Sequence, residues 1–201
     1  MAFLRSNLGF DHPPSVRGNG VWLRPPTMSD YVAWSELRSR SRAHLTPWEP
    51  QWTLDELGQG SFRQRLRHYA REQRDDLGYA FFVFRTVDDV LLGGLTLSNV
   101  RRGVSQTATL GYWIGQPYVR RGHMTAAVGA ILGHGYEELR LHRIEAACLP
   151  GNAGSIGVLE SCGFTREGLA RRYLKINGTW QDHLLFARLR DDEPIRAGRP
   201  A

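Results

Sequence analysis

Tyr118-Val119-Arg120-Arg121-Gly122-His123-Met124-Thr125-Ala126 is the stretch on which the fold turns. It joins a strand to a long helix. Upstream, residues 107–115 read as a strand that ends before Pro117. Downstream, Ala126, Ala127, Ala130, Ile131 and Leu132 recur on a helical period between about Gly122 and Leu139. The first turn of such a helix leaves about four N–H groups without intrahelical partners. With the positive end of the helix dipole they form an anion site. Gly122 lets backbone approach a phosphate with no Cβ in the way, and Arg120 and Arg121 add charge. Strand–Gly–helix junctions are common, so the stretch by itself is a weak signal. It lacks the Gly-Lys-Ser/Thr ending of an NTPase loop and the further glycines of a dinucleotide fingerprint.

Working outward, a strand over 143–149 leads to Pro150-Gly151-Asn152-Ala153-Gly154-Ser155 and a short helix over 153–162, with Asn152 as N-cap. A helix crosses over between the strands 107–115 and 143–149, so they should lie parallel and side by side. Both helix starts then share one sheet edge, where ligands bind in open α/β layers. Before this unit come two antiparallel strands, 79–85 and 90–100, joined at Asp88-Asp89, with Gly93-Gly94 marking a bulge. Earlier still are a short strand at 21–24, a helix from about Asp30 to Arg38, a Trp- and Pro-rich loop through Trp48 and Trp52, and a helix over 54–74. A hairpin closes the chain: strands 171–176 and 179–188 flank Asn177-Gly178, which suits a type I′ turn. The expected fold is α+β: a mixed, mainly antiparallel central sheet with a β-α-β-α cofactor unit and helices on both faces.

The 201 residues fit one domain over 20–190, with an N-terminal extension at 1–19 and a disordered tail at 191–201. A chain of this length buries roughly 70% of its unfolded surface and needs no staple. Residues 1–20 have no long apolar run, and no window approaches the ~18 apolar residues of a membrane span, so a cytoplasmic protein with no membrane contact is expected. The two cysteines, Cys148 and Cys162, show no CxxC spacing and read as free buried thiols, with a redox pair as the alternative. The seven histidines show no metal-ligand spacing, and no metal is expected. The net charge of +6 favours anionic partners. Arg63, Arg65, Arg67, Arg71 and Arg74 share one helix, read as a solvated face rather than a specific nucleic-acid site, because no aromatic stacking motif accompanies them.

Five pieces in fixed order carry a resemblance across roughly residues 20–190. They are Pro47-Trp48-Glu49-Pro50, the Arg120–Thr125 stretch, Leu141-His142-Arg143-Ile144-Glu145-Ala146, Asn152-x-x-Ser155 with Glu160-Ser161-Cys162-Gly163-Phe164, and Asn177-Gly178-Thr179-Trp180-Gln181-Asp182-His183. Together they resemble the GNAT superfamily, and within it the RimJ/RimL-type ribosomal-protein-alanine N-acetyltransferases. The resemblance implies acetyl-CoA as co-substrate and a protein N-terminus, of a ribosomal protein for instance, as acceptor. The alternatives are a small-molecule amine acceptor and a non-catalytic acetyl-CoA-binding factor. It further implies that the backbone of Tyr112, Trp113 and Ile114 pairs with the pantetheine arm. Arg120, Arg121, Gly122, His123, Met124 and Thr125 would wrap the pyrophosphate, Asn152 would contact the amide arm, and Ser155 would lie near the thioester sulfur. The amine would attack directly, through a tetrahedral intermediate. The assembly is a monomer or a homodimer.

The chain departs from the family pattern at instructive places. The tyrosine that many members use as general acid is Leu159 here, and the strand carboxylate that many use as base is Ala147. Glu145 lies two residues away on the same strand face, as a substitute base or equally as a structural ion pair. Glu49, in the Trp-rich loop, is a candidate to hold the ammonium or accept its proton. The acceptor sets the demand on a base. At about pH 7.4, freeing the neutral nucleophile costs roughly 0.5 kcal/mol for an α-amine and roughly 4 kcal/mol for a lysine. An N-terminal acceptor thus tolerates the missing carboxylate, and a hydroxyl from Ser155 suffices for a leaving thiolate.

Overall fold

The computed structural model describes residues 15–192. Eight strands form one sheet: β1 (Val16–Gly18), β2 (Val21–Arg24), β3 (Tyr79–Arg85), β4 (Leu91–Arg101), β5 (Thr107–Ile114), β6 (Arg143–Cys148), β7 (Thr165–Ile176) and β8 (Thr179–Leu189). Their spatial order is β1-β2-β3-β4-β5-β6-β8-β7. Every neighbouring pair is antiparallel except β5 and β6, which are parallel, as the crossover requires. The helices are α1 (Tyr31–Arg40), α2 (Arg42–Leu45), α3 (Gln59–Arg74), α4 (His123–Glu137) and α5 (Ala153–Ser161).

Each face of the sheet has its own core. On one face α4 and α5 bring Val128, Ile131 and Leu159 against Phe81, Leu95, Leu110, Ile144 and Phe186. On the other, α1 and α3 bring Trp34, Leu37 and Phe62 against Phe82, Phe84 and Leu91. Strand β3 serves both: successive side chains alternate across a strand, so Phe81 and Val83 enter one core while Phe82 and Phe84 enter the other. This explains why Tyr79–Phe84 carries no polar alternation before Arg85. Phe62 is fully buried between Trp34 and Phe82, and truncating such an aromatic to alanine costs about 3–5 kcal/mol.

The bulge falls where the glycine pair pointed. Val83 pairs with Gly93 and Phe84 with Leu91, so Leu92 is the extra residue. The Asn177-Gly178 turn has φ of 43° and 82°, both left-handed, as a type I′ turn requires. Three boundaries differ from the sequence reading. Strand β1 lies within the stretch assigned to an N-terminal extension; it is three residues long, too short for an alternation signal, and is held by pairing with β2. Helix α3 begins at Gln59 rather than Leu54, because Gly58 is extended (ψ 146°) and Leu54 is fully exposed. Strand β7 begins at Thr165, six residues before the expected start, since Gly168 and the exposed basic residues after it hid its alternation. Residues 193–201 of the expected tail lie outside the described residues.

Candidate active site

Strands β5 and β6 part company halfway along. Their ladder runs from Thr107–Arg143 to Leu110–Ala146 and stops. Beyond it β5 stays with β4, as Tyr112 pairs with Leu95 and Ile114 with Gly93. Strand β6 stays with β8, as Ala147 pairs with Leu185 and Cys148 with Leu184. The gap between them opens a cleft of about 970 Å³. Its walls are Gly111 to Ile114 of β5, the turn Tyr118 to Thr125, Ala146 to Leu149 of β6, the first turns of α5, and the tip of the β7–β8 hairpin.

Backbone groups alternate direction along a strand, and this sorts the three β5 residues expected to offer theirs. The carbonyl of Gly111 accepts from Thr96 on β4, Gly115 N–H donates to Leu92 O, and the Trp113 carbonyl abuts Gly93. Odd-numbered residues therefore face β4. Tyr112 and Ile114 turn their backbone toward the gap, whereas the Trp113 backbone faces β4, which differs from the sequence expectation.

At the cleft's outer end α4 starts from Gly122, which is left-handed (φ 74°), and no side chain caps its first turn. Arg120 is left-handed as well (φ 58°), so the chain curls around the helix start. Arg120 and Arg121 are exposed and have no ion-pair partner among the described residues. Burial, then the charges of Arg85 and Arg121, hold the His123 imidazole below its usual value. Free N–H groups, two unpaired guanidinium groups and a left-handed glycine make a built anion site.

At the inner end the side chain of Asn152 accepts the Ser155 N–H at 3.0 Å, capping α5. Capping fixes Ser155 in the cleft wall, with its Oγ 2.8 Å from the Tyr112 hydroxyl. The same hydroxyl lies 3.2 Å from the Ser155 carbonyl, so its one proton has two acceptors within reach, Ser155 Oγ and this carbonyl. Burial pushes the Tyr112 phenol well above its usual range, so it stays protonated. Burial also raises the Cys148 thiol at the end of β6, with the neighbouring Ser155 opposing. Leu159, at the family's tyrosine position, is wholly buried in the core. The hydroxyl pair Tyr112–Ser155 was missed in the sequence because it forms only when the gap brings β5 against α5.

The two carboxylate candidates come to different places. Glu49 lines the cleft, but its carboxylate is held by Arg38 through Nη1 at 3.0 Å and Nη2 at 2.6 Å, and by Trp52 Nε1 at 2.8 Å. The Arg38 side chain is only 7% exposed and stacks over Trp52 and Trp113. Glu145 lies on the paired part of β6, opposite Thr109 and Ala187, and its carboxylate accepts from Arg143 at 2.8 Å. Arg143 also holds Glu167. The structure thus gives Glu145 the ion-pair role and keeps it out of the cleft walls.

A second cavity of about 410 Å³ opens on the α1–α3 face, between Trp34, Trp52, Arg65 and Tyr69. It shares Glu49, Pro50, Gly111, Tyr112 and Trp113 with the cleft, so the two spaces adjoin along β5. The hairpin tip meets the Trp-rich loop here: Asn177 N–H donates to the Glu49 carbonyl at 2.9 Å. No group of three or more metal-ligating side chains occurs among the described residues, and no described helix is long and apolar enough to cross a membrane.

Residues 21–165 match the model of a family described as the acetyltransferase (GNAT) domain. Over 178 residues the chain is 35% identical to "Probable N-acetyltransferase YjcK" of Bacillus subtilis, covering 89% of this chain and 98% of the relative. It is 32% identical over 176 residues to the ribosomal protein uS5-alanine N-acetyltransferase of Escherichia coli, covering 87% and 91%. Among solved structures it is similar to Mycobacterium smegmatis RimJ in complex with CoA-disulfide, with a TM-score of 0.86 at 35% identity over 90% of each chain.

Proposed function

The chain belongs to the GNAT acetyltransferases, and from that premise we propose that it acetylates the α-amine of a protein N-terminus, with ribosomal proteins as the first acceptors to test. A ribosomal acceptor implies a cytoplasmic reaction. The observation that carries this reading is the adjoining pair of cavities. One fits an extended anionic co-substrate, and the other, aromatic and formally neutral with Arg38, Arg65, Glu49 and Glu56, fits the leading residues of a peptide. The relatives named for ribosomal proteins support it.

Acetyl-CoA supplies the acetyl group as a thioester, whose carbonyl carbon an amine attacks directly and whose sulfur leaves as a thiolate. Arg120, Arg121 and the α4 N-terminus hold the pyrophosphate. The free backbone of Tyr112 and Ile114 extends β5 toward the pantetheine amides, and Asn152 holds the α5 start against them. Ser155 donates its hydroxyl proton to the departing sulfur, and Tyr112, kept protonated by burial, polarises that hydroxyl. Glu49, held by Arg38, orients the loop that meets the ammonium. An α-amine is about three pKa units less basic than a lysine, so it suits a site whose carboxylates are already engaged.

The test is thiol release from acetyl-CoA with peptides carrying the N-termini of ribosomal proteins, set against free lysine, polyamines and amine antibiotics. The expected result is kcat/KM at least tenfold higher for one or more N-terminal peptides. A preference for a small amine would overturn the acceptor reading, and tight acetyl-CoA binding without turnover on any amine would favour a binding factor.

A further inference from the structure

We propose that His183 is the base that takes the proton from the incoming ammonium, an inference that rests on the acetyl-transfer reading above. Five polar or charged residues are buried among the described ones: Asp30, Arg38, Ser41, His183 and Arg188. Asp30 is held by Arg24, Arg38 by Glu49, and Ser41 by the Gln116 N–H, while Arg188 donates to the Cys162 carbonyl. His183 is 2% exposed, and its one hydrogen bond runs from Nδ1 to the Gln181 carbonyl at 3.0 Å.

That bond fixes the tautomer. A carbonyl can only accept, so Nδ1 carries the hydrogen and neutral His183 presents a lone pair at Nε2. Nε2 has no hydrogen-bond partner among the described residues, yet it is not among the sealed, unpartnered atoms of the interior. His183 lines the cleft, which is the space left for that lone pair.

Register places the ring on the acceptor's side. Cys148 pairs with Leu184, and both belong to the core under α4 and α5. His183 is the next residue along β8, so it turns to the opposite face, the one that carries the α1–α3 core and the aromatic cavity. Ser155 thus reaches the gap from the cofactor face and His183 from the acceptor face. Tyr173 packs edge-on against the ring with centroids 5.8 Å apart and limits its rotation. The other titratable or charged groups around it are Lys175 on β7, Asp182 beside it, and Glu49 and His44 across the cleft. Asp182 accepts the Arg172 N–H, and Glu49 is held by Arg38 and Trp52.

Protons balance as follows. The ammonium gives one proton to Nε2, which passes it to water. The neutral amine attacks the carbonyl carbon, a C–N bond forms and the C–S bond breaks. The nitrogen's second proton passes through water to Ser155, replacing the one that Ser155 gives to the sulfur. The products are the amide, the thiol and one released proton.

The test compares His183→Asn with wild type on two acceptors: a ten-residue peptide beginning with alanine, and the same peptide capped with an aminooxyacetyl group, whose terminal amine is neutral at pH 7. Asparagine can still donate to the Gln181 carbonyl but cannot take a proton. The expected result is a fall of about 100-fold in kcat/KM on the alanine peptide and less than about threefold on the aminooxy peptide. Coenzyme A affinity, read by titration calorimetry, should stay within twofold. Equal losses on both peptides, or no loss on either, would overturn the assignment of His183 while leaving the enzyme's activity established. Wild-type transfer to neither peptide would overturn the acceptor reading and the His183 assignment together.

Discussion

Replacing Ser155 by alanine separates a chemical role from a structural one. The hydroxyl bonds Tyr112 at 2.8 Å and the Cys148 thiol, and Tyr112 keeps a second acceptor in the Ser155 carbonyl at 3.2 Å. Only the thiol, a weak donor, loses its partner, so the stability cost is about 1 kcal/mol, a fall of about 2–4 °C in Tm. Turnover is the larger effect. A thiol of pKa near 8.5 leaves as a thiolate that at pH 7 sits about 1.5 units, or about 2 kcal/mol, above its protonated form. A positioned acid recovers that difference, so S155A should lose about 30-fold in kcat at pH 7. At pH 9.5 the thiolate is the stable product, and the loss should shrink to about threefold or less. Tyr112→Phe keeps the serine and removes its polarising partner, for an expected loss of about 3–10-fold. Because the two hydroxyls act as a unit, the double variant should fall no more than about twofold below S155A. Thiol release with saturating acetyl-CoA and peptide at both pH values is the assay. A deficit of the same size at both pH values, or losses that multiply in the double variant, would refute the proton-donor role.

Three further outcomes are expected. Gly93→Ala should cost more than about 2 kcal/mol in thermal melts, because a Cβ there meets the Trp113 carbonyl and lies 3.0 Å from Ile114 Cα, both backbone; it should also weaken coenzyme A binding by shifting β5. Glu145→Gln should leave kcat/KM within about twofold and stability within about 1 kcal/mol, since the half-exposed pair with Arg143 lies outside the cleft walls and Arg143 keeps Glu167; a tenfold kinetic loss would restore it as a base. Burial holds His134 below the ordinary histidine value, with Glu138 opposing, so its folded pKa lies under its unfolded one of about 6.5. The unfolded chain then binds more protons in that window, and stability is full above about pH 6.5 and falls as pH drops below it. His134→Gln should flatten this slope in melts between about pH 7.5 and 5, and an unchanged slope would exclude the residue as its source.

Local signals carried most of the fold. The β5–α4–β6–α5 unit, the paired glycines of β4 and the Asn177-Gly178 turn each depend on residues close in sequence, and each formed where its chemistry pointed. What failed to show depended on distance. The Arg38–Glu49 pair spans eleven positions and a loop, and no spacing rule announces it. Glu145 shares a strand face with Ala147, yet the ladder closes over it before the gap begins, and where a ladder ends is a property of two strands together. Trp113 was misread for a related reason: the direction of its backbone follows from its register with β4. His183 stood within a recognised stretch, but its free nitrogen is defined by a carbonyl two residues back and by which face β8 turns to the gap.

On the proposed reading, the hydrogen bond from Asn177 to the Glu49 carbonyl would set a rule of entry. It joins the hairpin tip to the Trp-rich loop, and with that contact the polypeptide would ring the acceptor side. An open trench admits a chain laid in sideways, whereas a ring admits only a free end. An α-amine at the tip of an unstructured terminus can thread such a ring, but a lysine in the middle of a folded surface must first break it. A single backbone hydrogen bond contributes only about 1 kcal/mol, so such a ring would open readily for product release. Selection for chain ends would then owe as much to this closure as to any contact with the amine.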